Sequence, residues 1–551
     1  MDGLVADGGP LPPNPGEAGH SVPGPAVRGI LSDIRRDPRK ILAGVWYASL
    51  LVAGTWLILR SSPWGIGVRV DSLSYLTAAQ SLAQGHCLCW LGSGLELKPL
   101  VHFGPLYPSL VAAGTLLGMS ILESARVLAA VLYGANLALS GLAVHVVTKN
   151  PWAGVGAAFV FGASPVIVEA HDSAMSEPLF LFFLMAGFLA LAVYLDGRWP
   201  IVLGLAALAC GLAVLTRYAG SSMLLAGVGA LLLVNRGSWR IRIRDAMVFA
   251  LAAFLPLSLW LLRNLAVSGT LTNRVLGYHP VTADDARAFL DIVTGWLTAA
   301  RTSHWIEGLL LAALLVGGAG VVWRYTRSDS SVERRAGGLG MILMLYILVY
   351  VPMLGLSRTY FDAKIPIDDR MLSPWYASLT LMAALVAGIS LRGPRRTWWI
   401  VPVALLVLAG PGRYMVDGSR RVLGRLETQG VGFASRAWGE SPSLDWVRDL
   451  SSDALLYSNK ALVIQLLLGR AAYQPPERYD EVKAQFREDF LENLDRMYAD
   501  LERPNSYLLM FDPVRPIEPA DVEDEFTVGL VLIETLSDGV VYADPSTIAG
   551  P

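Results

Sequence analysis

Long apolar runs dominate the hydrophobic pattern of the chain between residues 41 and 416. Each run has about 17–25 residues, enough for a helix to cross the hydrocarbon core of a bilayer. The runs are apolar on all sides, unlike the one-sided pattern of a helix on a soluble protein. We predict eleven spans, at 41–60, 124–148, 152–170, 177–195, 200–216, 219–234, 245–264, 305–325, 336–355, 371–391 and 398–414.

A further apolar run, residues 104–118, does not fit this series. It has only about 15 residues, a length that favours a re-entrant or interfacial segment over a full span. It also carries two prolines, Pro105 and Pro108. We therefore expect this run to lie at the membrane surface.

Positive charges between the spans give the orientation. With 104–118 left uncrossed and the N-terminus in the cytoplasm, every cytoplasmic segment carries Lys or Arg, as the positive-inside rule expects. These residues are Arg28, Arg35, Arg36, Arg39, Lys40, Lys149, Arg198, Arg236, Arg240, Arg242, Arg244, Arg324, Arg327, Arg334, Arg335, Arg392, Arg395 and Arg396. If 104–118 crossed the membrane, the clusters at 236–244, 324–335 and 392–396 would face outward.

This topology divides the chain into three parts. Residues 1–40 form a cytoplasmic, disordered tail without a cleavable signal peptide, residues 41–416 a transmembrane domain, and residues 417–551 an extracytoplasmic domain. The last part has a helical pattern at Tyr479–Leu501 and strand patterns at 454–458, 506–511, 528–534 and 540–543. We therefore predict a polytopic all-α membrane protein with a small C-terminal α/β domain, in the bacterial inner membrane.

Composition and charge narrow the function. The chain is 54% hydrophobic and 16% charged with a net charge of -2, and it has no basic tract for nucleic acid. Its cysteines, Cys87, Cys89 and Cys210, form neither a disulfide framework nor a zinc spacing. We expect Cys87 and Cys89, two residues apart, to be unpaired.

Two acidic segments lie on the predicted outer side. Asp71, in the outer loop 61–123, precedes a stretch with helical spacing, where it is either a helix N-cap or a functional carboxylate. The short connection 171–176 and the start of the next span bring together His171, Asp172 and Glu177. Ser176 can cap the following helix, but capping does not explain three ionisable groups between two membrane helices.

Cations accumulate on the same side. They are Lys98, His102, Arg217, Arg263 and Arg370. Each alone fits snorkelling toward lipid headgroups. Together, and opposite carboxylates, they suggest an anionic ligand such as a phosphate. A carboxylate base, cations for a departing phosphate and an apolar groove predict group transfer from a lipid phosphate. No Walker or Rossmann glycine pattern supports a soluble nucleotide donor.

At these residues the chain resembles the GT-C superfamily of membrane glycosyltransferases, in the branch of dolichyl-phosphate-mannose protein mannosyltransferases and lipid A aminoarabinose transferases. The resemblance covers roughly residues 41–415. It rests on Asp71-x-x-x-Tyr75 with Ala78, Leu82 and Gly85, on Phe103-Gly-Pro-Leu-Tyr-Pro108, on Ser176-Glu177-Pro178-Leu179-Phe180, on Gly211-Leu-Ala-Val-Leu-Thr-Arg217 and on Arg370-Met-Leu-Ser-Pro374.

The resemblance implies that Asp71 is the catalytic base and that Glu177 is the acidic residue of the second outer loop. Residues expected to bind substrate are Tyr75, Lys98, His102, Asp172, Arg217, Tyr218 and Arg370. It implies a polyprenyl-phosphate sugar donor, inversion at the anomeric carbon, and an acceptor that is a glycan, lipid or protein, in contact with membrane lipid.

The sequence departs from the family where Ser72 follows Asp71, since many members have Glu there. It has no Asp-x-Asp metal motif, and a divalent ion held by Glu177 and Asp172 stays an alternative to a reaction without cofactor. Two other functions stay open. One is a lipid-linked-sugar transporter or binding protein, although we find no internal repeats. The other is an oligosaccharide polymerase or ligase, which would use Arg274, His279, Arg287, Arg301 and His304 of loop 265–304.

Overall fold

The computed structural model describes residues 38–274, 276–297, 312, 315–320, 322–324, 326–361, 365–390, 411–480 and 485–548. Nearly all of the predicted tail 1–40, most of the predicted span 305–325 and nearly all of the span 398–414 lie outside these residues. The chain divides into two compact units, residues 1–46 and residues 47–551. The described part of the first unit forms the beginning of helix α1, and the second unit holds the remaining elements.

In the described residues, six helices are long and apolar enough to cross a bilayer. They are α1 (Pro38–Ser61), α4 (Ile121–Thr148), α7 (Glu177–Gly197), α10 (Trp239–Ser268), α12 (Ser331–Tyr360) and α13 (Asp369–Ser390). Each matches a predicted span and extends beyond it by a few residues at one end or both. α4 begins at a capping box in which the Ser120 hydroxyl accepts from the Glu123 amide.

Shorter helices occupy three further predicted spans, 152–170, 200–216 and 219–234. They are α5 (Pro151–Gly162), α6 (Pro165–Ala170), α8 (Pro200–Thr216) and α9 (Ser221–Leu233). The span predicted at 152–170 is thus two helices, because Ser164 is extended and Pro165 starts a new helix. At 1.5 Å per residue, α5 is only about 18 Å long, less than the core of a bilayer.

The segment predicted as an outer loop, residues 61–123, contains α2 (Val70–Ala83), strands β1 (Cys89–Leu91) and β2 (Leu97–Pro99), and α3 (Leu106–Gly114). α3 is followed by a 3-10 turn at Thr115–Leu117, so the described helix in the apolar run 104–118 is short. The position of this run at the membrane surface stays a prediction. The prediction that Cys87 and Cys89 are unpaired is wrong. The two residues form a disulfide, with their Cα atoms 5.2 Å apart, an ordinary spacing for a bridge.

Exposed apolar faces mark the surface of the long helices. On α10, Leu251, Leu255, Leu259 and Leu262 lie along one side, and each is more than half exposed. A soluble protein rarely exposes a contiguous apolar face of this kind, whereas lipid covers it in a membrane protein. The chain is an integral membrane protein.

The C-terminal region begins with the amphipathic helix α14 (Pro411–Thr428). Its further helices are α15 (Arg436–Gly439), α16 (Pro442–Asp449), α17 (Ala461–Leu468), α18 (Phe490–Leu501), α19 (Asp524–Thr527) and α20 (Pro545–Ile548). Its strands are β3 (Leu455–Ser458), β4 (Tyr479–Asp480), β5 (Gln485–Phe486), β6 (Ser506–Phe511), β7 (Val531–Leu536) and β8 (Gly539–Ala543).

Four of these strands form a sheet in the order β3-β6-β8-β7, with β3 parallel to β6 and the other pairs antiparallel. A turn before Gly539 joins β7 and β8, and the buried Asp538 carboxylate accepts from the Ser443 amide at 3.1 Å. The predicted helix at Tyr479–Leu501 was too long. It begins only at Phe490, because Tyr479 and Phe486 pair in two short antiparallel strands.

A short extended segment, Ile66–Val68, joins distant parts of the second unit. The Gly67 amide donates to the Asp172 carbonyl at 2.9 Å, and the Phe433 amide donates to the Val68 carbonyl at 2.8 Å. At Gly432 the backbone has a φ of +61°, and an added Cβ would lie 2.1 Å from the Val68 oxygen. Only glycine permits this close approach.

A charged network lies at the far end of α7 from Glu177. The buried Asp245 accepts from the Tyr194 hydroxyl at 2.6 Å, from the Asn235 amide at 2.9 Å and from the Arg244 guanidinium at 2.8 and 3.0 Å. We call these four residues the Asp245 cluster. They tie α7, α10 and the end of α9 together.

Candidate functional site

Four charged residues meet where α2, α7, α8 and α13 come together. Asp71 lies in the first turn of α2 and Glu177 in the first turn of α7. Arg217 follows the last residue of α8, and Arg370 lies in the first turn of α13. We call these residues the Glu177 cluster. They are far apart in the sequence and were all predicted as site residues.

The arginines alternate with the carboxylates. Arg370 Nη1 donates to Asp71 Oδ2 at 2.9 Å and lies 3.5 Å from Glu177 Oε1. Arg217 Nη1 lies 2.8 Å from the same Glu177 oxygen. The Glu177 side chain is 1% exposed and that of Asp71 is 39% exposed. Asp71 is thus the carboxylate of this cluster that a ligand can reach.

Glu177 is held by charge more than by hydrogen bonds. Although Arg217 is within ion-pair distance, neither Glu177 oxygen accepts a well-aligned hydrogen bond from the described residues. A buried carboxylate in this state is costly unless cations compensate it. Glu177 therefore fixes the two arginines in place, while leaving their remaining N–H groups available.

Two hydroxyl groups complete the wall of this cluster. The Tyr75 hydroxyl and Ser176 Oγ are hydrogen-bonded at 3.1 Å, and Arg217 Nη1 donates to Ser176 Oγ at 3.1 Å. Burial raises the pKa of the Tyr75 phenol, so it stays protonated. Ser176 occupies the cap position of α7, but its side chain makes no capping hydrogen bond and serves Arg217 instead.

A cavity of about 490 Å³ opens beside the cluster, and we call it the first cavity. Its polar end contains Asp71, Tyr75, His102, Arg217, Tyr218 and Arg274. Its other walls are apolar side chains of α10 and α12, among them Leu257, Leu261, Met353 and Leu354. This combination suits a ligand that has an anionic head and a hydrocarbon tail.

Three solved structures share this architecture. ArnT from Cupriavidus metallidurans, bound to undecaprenyl phosphate, is 14% identical, with a TM-score of 0.56 over 92% of this chain and 99% of that chain. The Archaeoglobus fulgidus oligosaccharyltransferase, tethered with an acceptor peptide, is 13% identical, with a TM-score of 0.50 over 85% of this chain and 69% of that one. A mutant of the arabinofuranosyltransferase AftD from Mycobacteria is 17% identical, with a TM-score of 0.52 over 90% and 41%.

This chain has the GT-C fold. At these identities the likeness establishes the fold, and it confirms the resemblance inferred from the short motifs. No protein-family model matches the chain, and no curated protein matches it.

Within the GT-C fold, the predicted substrate residues Tyr218 and His102 line the first cavity. The Tyr218 hydroxyl donates to the Val101 carbonyl at 3.0 Å and accepts from Trp260 at 3.1 Å. His102 Nε2 lies 3.5 Å from Arg274. Lys98 is placed elsewhere, on β2, where it forms an ion pair with Glu96 at 3.2 Å and is not part of the cavity wall.

Asp172 belongs to a second group of charges. Its carboxylate pairs with Arg69 at 3.2 Å and with Arg425 of α14 at 3.5 Å, and Glu169 contacts the same two arginines. Burial raises the pKa of Asp172, and Arg69 opposes that shift. Arg69 directly precedes α2, so this group connects the helix that carries Asp71 with α14.

A metal site at Glu177 and Asp172 was left open by the sequence. Both carboxylates face arginines, which occupy the positions that a cation would take. Among the described residues, no group of three or more His, Cys, Asp or Glu side chains is arranged to hold a metal ion.

The sequence reasoning missed Asp368 and Tyr350. Asp368 Oδ1 accepts from the Met371 amide at 2.7 Å, and burial raises the pKa of its carboxyl group. Tyr350 of α12 donates to the Met371 carbonyl at 2.6 Å. Together they fix the first turn of α13, which carries Arg370. The adjacency of Asp368 to Arg370 was the only signal in the sequence.

Proposed function

We propose that this protein is a glycosyltransferase that moves a sugar from a polyprenyl-phosphate donor to an acceptor hydroxyl on the outer side of the membrane, with inversion. The observation that carries the proposal is the position of Asp71. It is a partly exposed carboxylate at the polar end of a cavity whose other walls are apolar. Undecaprenyl phosphate bound to ArnT, which shares the fold, supports a donor of this class.

The donor fits the first cavity with its phosphate group at the polar end. Its phosphate would meet Arg217 and Arg274 at the polar end, while its prenyl chain would lie along α10 and α12. Arginine binds phosphate through paired N–H groups, and a site shielded from water strengthens this attraction. Glu177 and Ser176 hold the Arg217 guanidinium in one orientation, so little entropy is lost when the phosphate binds.

In the proposed reaction, Asp71 accepts the proton of the acceptor hydroxyl while the oxygen of that hydroxyl forms a bond to the anomeric carbon. The bond from that carbon to the phosphate oxygen breaks, and its electron pair leaves with the polyprenyl phosphate. The arginines stabilise the charge that develops on the departing phosphate. Arg370 orients the Asp71 carboxylate through its 2.9 Å hydrogen bond. One displacement from the opposite face inverts the anomeric carbon.

The test uses the full chain in lipid nanodiscs. Undecaprenyl phosphates that carry labelled mannose, glucose, arabinose or aminoarabinose serve as donors, with an envelope extract as the acceptor source. We expect the variant Asp71→Asn to lose about 10²–10⁴-fold in labelled product, the usual contribution of a general base. Its binding of undecaprenyl phosphate, measured by native mass spectrometry, should equal that of the wild type.

The control variant is Asp284→Asn, which alters an exposed carboxylate on α11 (Ala283–Leu297), outside the cluster. It should transfer sugar at the wild-type rate. Unchanged product formation in Asp71→Asn would refute the assignment of the base. If no donor gives product but labelled donor crosses the bilayer, the protein is a transporter and the proposal fails.

A further inference from the structure

A second cavity of about 520 Å³ lies between α6, α11, α13 and α14. Among the described residues, it shares no lining residue with the first cavity. Its polar wall contains Glu169, Asp291, Asp369, Arg421 and Arg425. The reaction proposed for the first cavity uses none of these residues.

Two aromatic rings form part of this wall. Trp296 and Tyr376 meet edge to face with their centroids 5.0 Å apart, and Trp296 Nε1 donates to Asp369 Oδ1 at 2.6 Å. In the described part of the chain, the other Asp369 oxygen has no hydrogen bond. The buried Ser164 hydroxyl lies beside the Tyr376 phenol. Flat apolar rings next to fixed acceptors suit a ligand that has both C–H faces and hydroxyl groups.

The charge of this wall argues against an anionic ligand. Three carboxylates face the cavity against two arginines, and Arg425 is already paired with Glu169 and Asp172. Among the described residues, the polar end of the first cavity has the opposite balance, with Arg217 and Arg274 against the carboxylate of Asp71. A phosphate is therefore favoured in the first cavity, and a neutral polyhydroxylated ligand in the second.

The first turn of α13 separates the two cavities. Asp369 lines the second cavity, Arg370 bonds to Asp71, and Met371 lines the first cavity. On the other side, Glu169 of the second cavity contacts Arg69, which directly precedes the helix of Asp71. The proposed base thus lies at the end of the first cavity that is connected, through the first turn of α13 and through Arg69, to the wall of the second.

We infer that the second cavity binds a saccharide, the sugar portion of the acceptor. The assignment of this saccharide to the acceptor rests on the proposed function, whereas saccharide binding itself rests on the cavity wall alone. The Asp291 and Asp369 carboxylates accept hydrogen bonds from sugar hydroxyls, Arg421 donates to a ring or hydroxyl oxygen, and Trp296 packs against the C–H face.

The experiment measures saccharide binding without any donor. Full-length protein in detergent is mixed with methyl glycosides of mannose, glucose, galactose and arabinose, and binding is followed by saturation-transfer difference NMR. We expect at least one glycoside to bind the wild type. Asp291→Asn should weaken it about tenfold, because a hydrogen bond to a charged group is lost. Asp291 is exposed on α11, so this variant should fold normally.

Arg421→Gln provides a second variant in the same wall, and it should weaken the binding of the same glycoside. Asp284→Asn is the matched control, because it alters an exposed carboxylate of the same helix outside the cavity wall and should leave glycoside binding unchanged. Arg217→Gln, in the first cavity, should weaken the binding of undecaprenyl phosphate in native mass spectrometry. The inference is overturned if no glycoside binds, if both wall variants bind like the wild type, or if phosphatidylglycerol vesicles displace the glycoside. If Arg217→Gln keeps full affinity for undecaprenyl phosphate, the proposed function fails while the saccharide result stands.

Discussion

Two buried carboxylates, one in the first turn of α7 and one on α10 beside the other end of α7, show that the same residue types can have different roles. Asp245 and Glu177 are both almost inaccessible, and both are surrounded by arginines. Every Asp245 oxygen accepts hydrogen bonds, and the Asp245 cluster lines neither cavity. The Glu177 oxygens accept none from the described residues, and the Glu177 cluster borders a cavity.

The difference separates a structural network from a candidate site. A saturated carboxylate is already stable, and a ligand could only disturb it. A carboxylate with incomplete hydrogen bonding leaves arginine N–H groups for a ligand, and such local frustration is typical of functional sites. Burial and charge alone would not have distinguished the structural Asp245 cluster from the Glu177 cluster of the candidate site.

After the loss of the proposed base in Asp71→Asn, the largest effect is expected at Arg217. The variant Arg217→Gln should lower sugar transfer about 10²–10³-fold, because the departing phosphate loses a fixed cation. It should also destabilise the fold, because Glu177 is left buried with only the more distant Arg370. Transfer is measured as labelled product, and stability as the Tm in detergent.

A double variant separates the loss of sugar transfer from the loss of stability. Arg217→Gln with Glu177→Gln removes the unpaired buried charge, so it should recover the Tm without recovering transfer. Recovery of transfer together with the Tm would mean that the Glu177 cluster is structural, like the Asp245 cluster.

The Asp245 cluster should respond in the opposite way. The variant Asp245→Asn replaces an acceptor with an amide and breaks its bonds with Tyr194 and Arg244, which should cost about 3 kcal/mol of folding free energy. Transfer per folded molecule should stay at the wild-type rate. The measurements are the Tm and labelled product normalised to folded protein. A tenfold loss of normalised transfer would contradict the contrast between the clusters.

The smallest effect concerns His171, in the loop that precedes Glu177. Burial lowers the pKa of His171 to about 4, while Nε2 accepts from Asn136 and Nδ1 donates to the Ile167 carbonyl. The unfolded chain binds a proton near pH 6.5 and the folded chain does not, so stability falls as the pH drops from 6.5 toward 4. Between pH 7 and pH 5.5 the loss should be about 1 kcal/mol.

The comparison for this effect is the variant His171→Gln, which does not titrate. Unfolding at the two pH values should show the additional loss only in the wild type. Equal losses in both proteins would mean that His171 is protonated in the folded state.

Much of the membrane architecture could be predicted from the sequence, because length and polarity act locally. The span 200–216 agrees with α8 residue for residue, since Pro200 starts the helix and Arg217 ends it. The break before Pro165 was missed, although a proline disfavours helix at the preceding residue. The antiparallel pairing of Tyr479 with Phe486 was also missed, because it replaces the helix that the local pattern predicts there.

The site could be predicted only in part. The pairing of Arg370 with Asp71 spans 299 positions, and no local pattern indicates it. Family resemblance brought those residues together in advance. It could not show that Asp172, five residues from Glu177, faces a different pair of arginines, because the loop between them is not helical. Lys98 was chosen on its charge alone, and its strand directs it to Glu96.

The extended segment Ile66–Val68 limits how this protein can be recombined. Its backbone pairs with residues 172–174 on one side and with 431–433 on the other. A chimera that exchanges the C-terminal region alone would place a foreign main chain against Val68, where even a Cβ at position 432 collides. Parts transplanted between proteins of this fold would have to include all three segments, so we expect evolution to inherit them as one block.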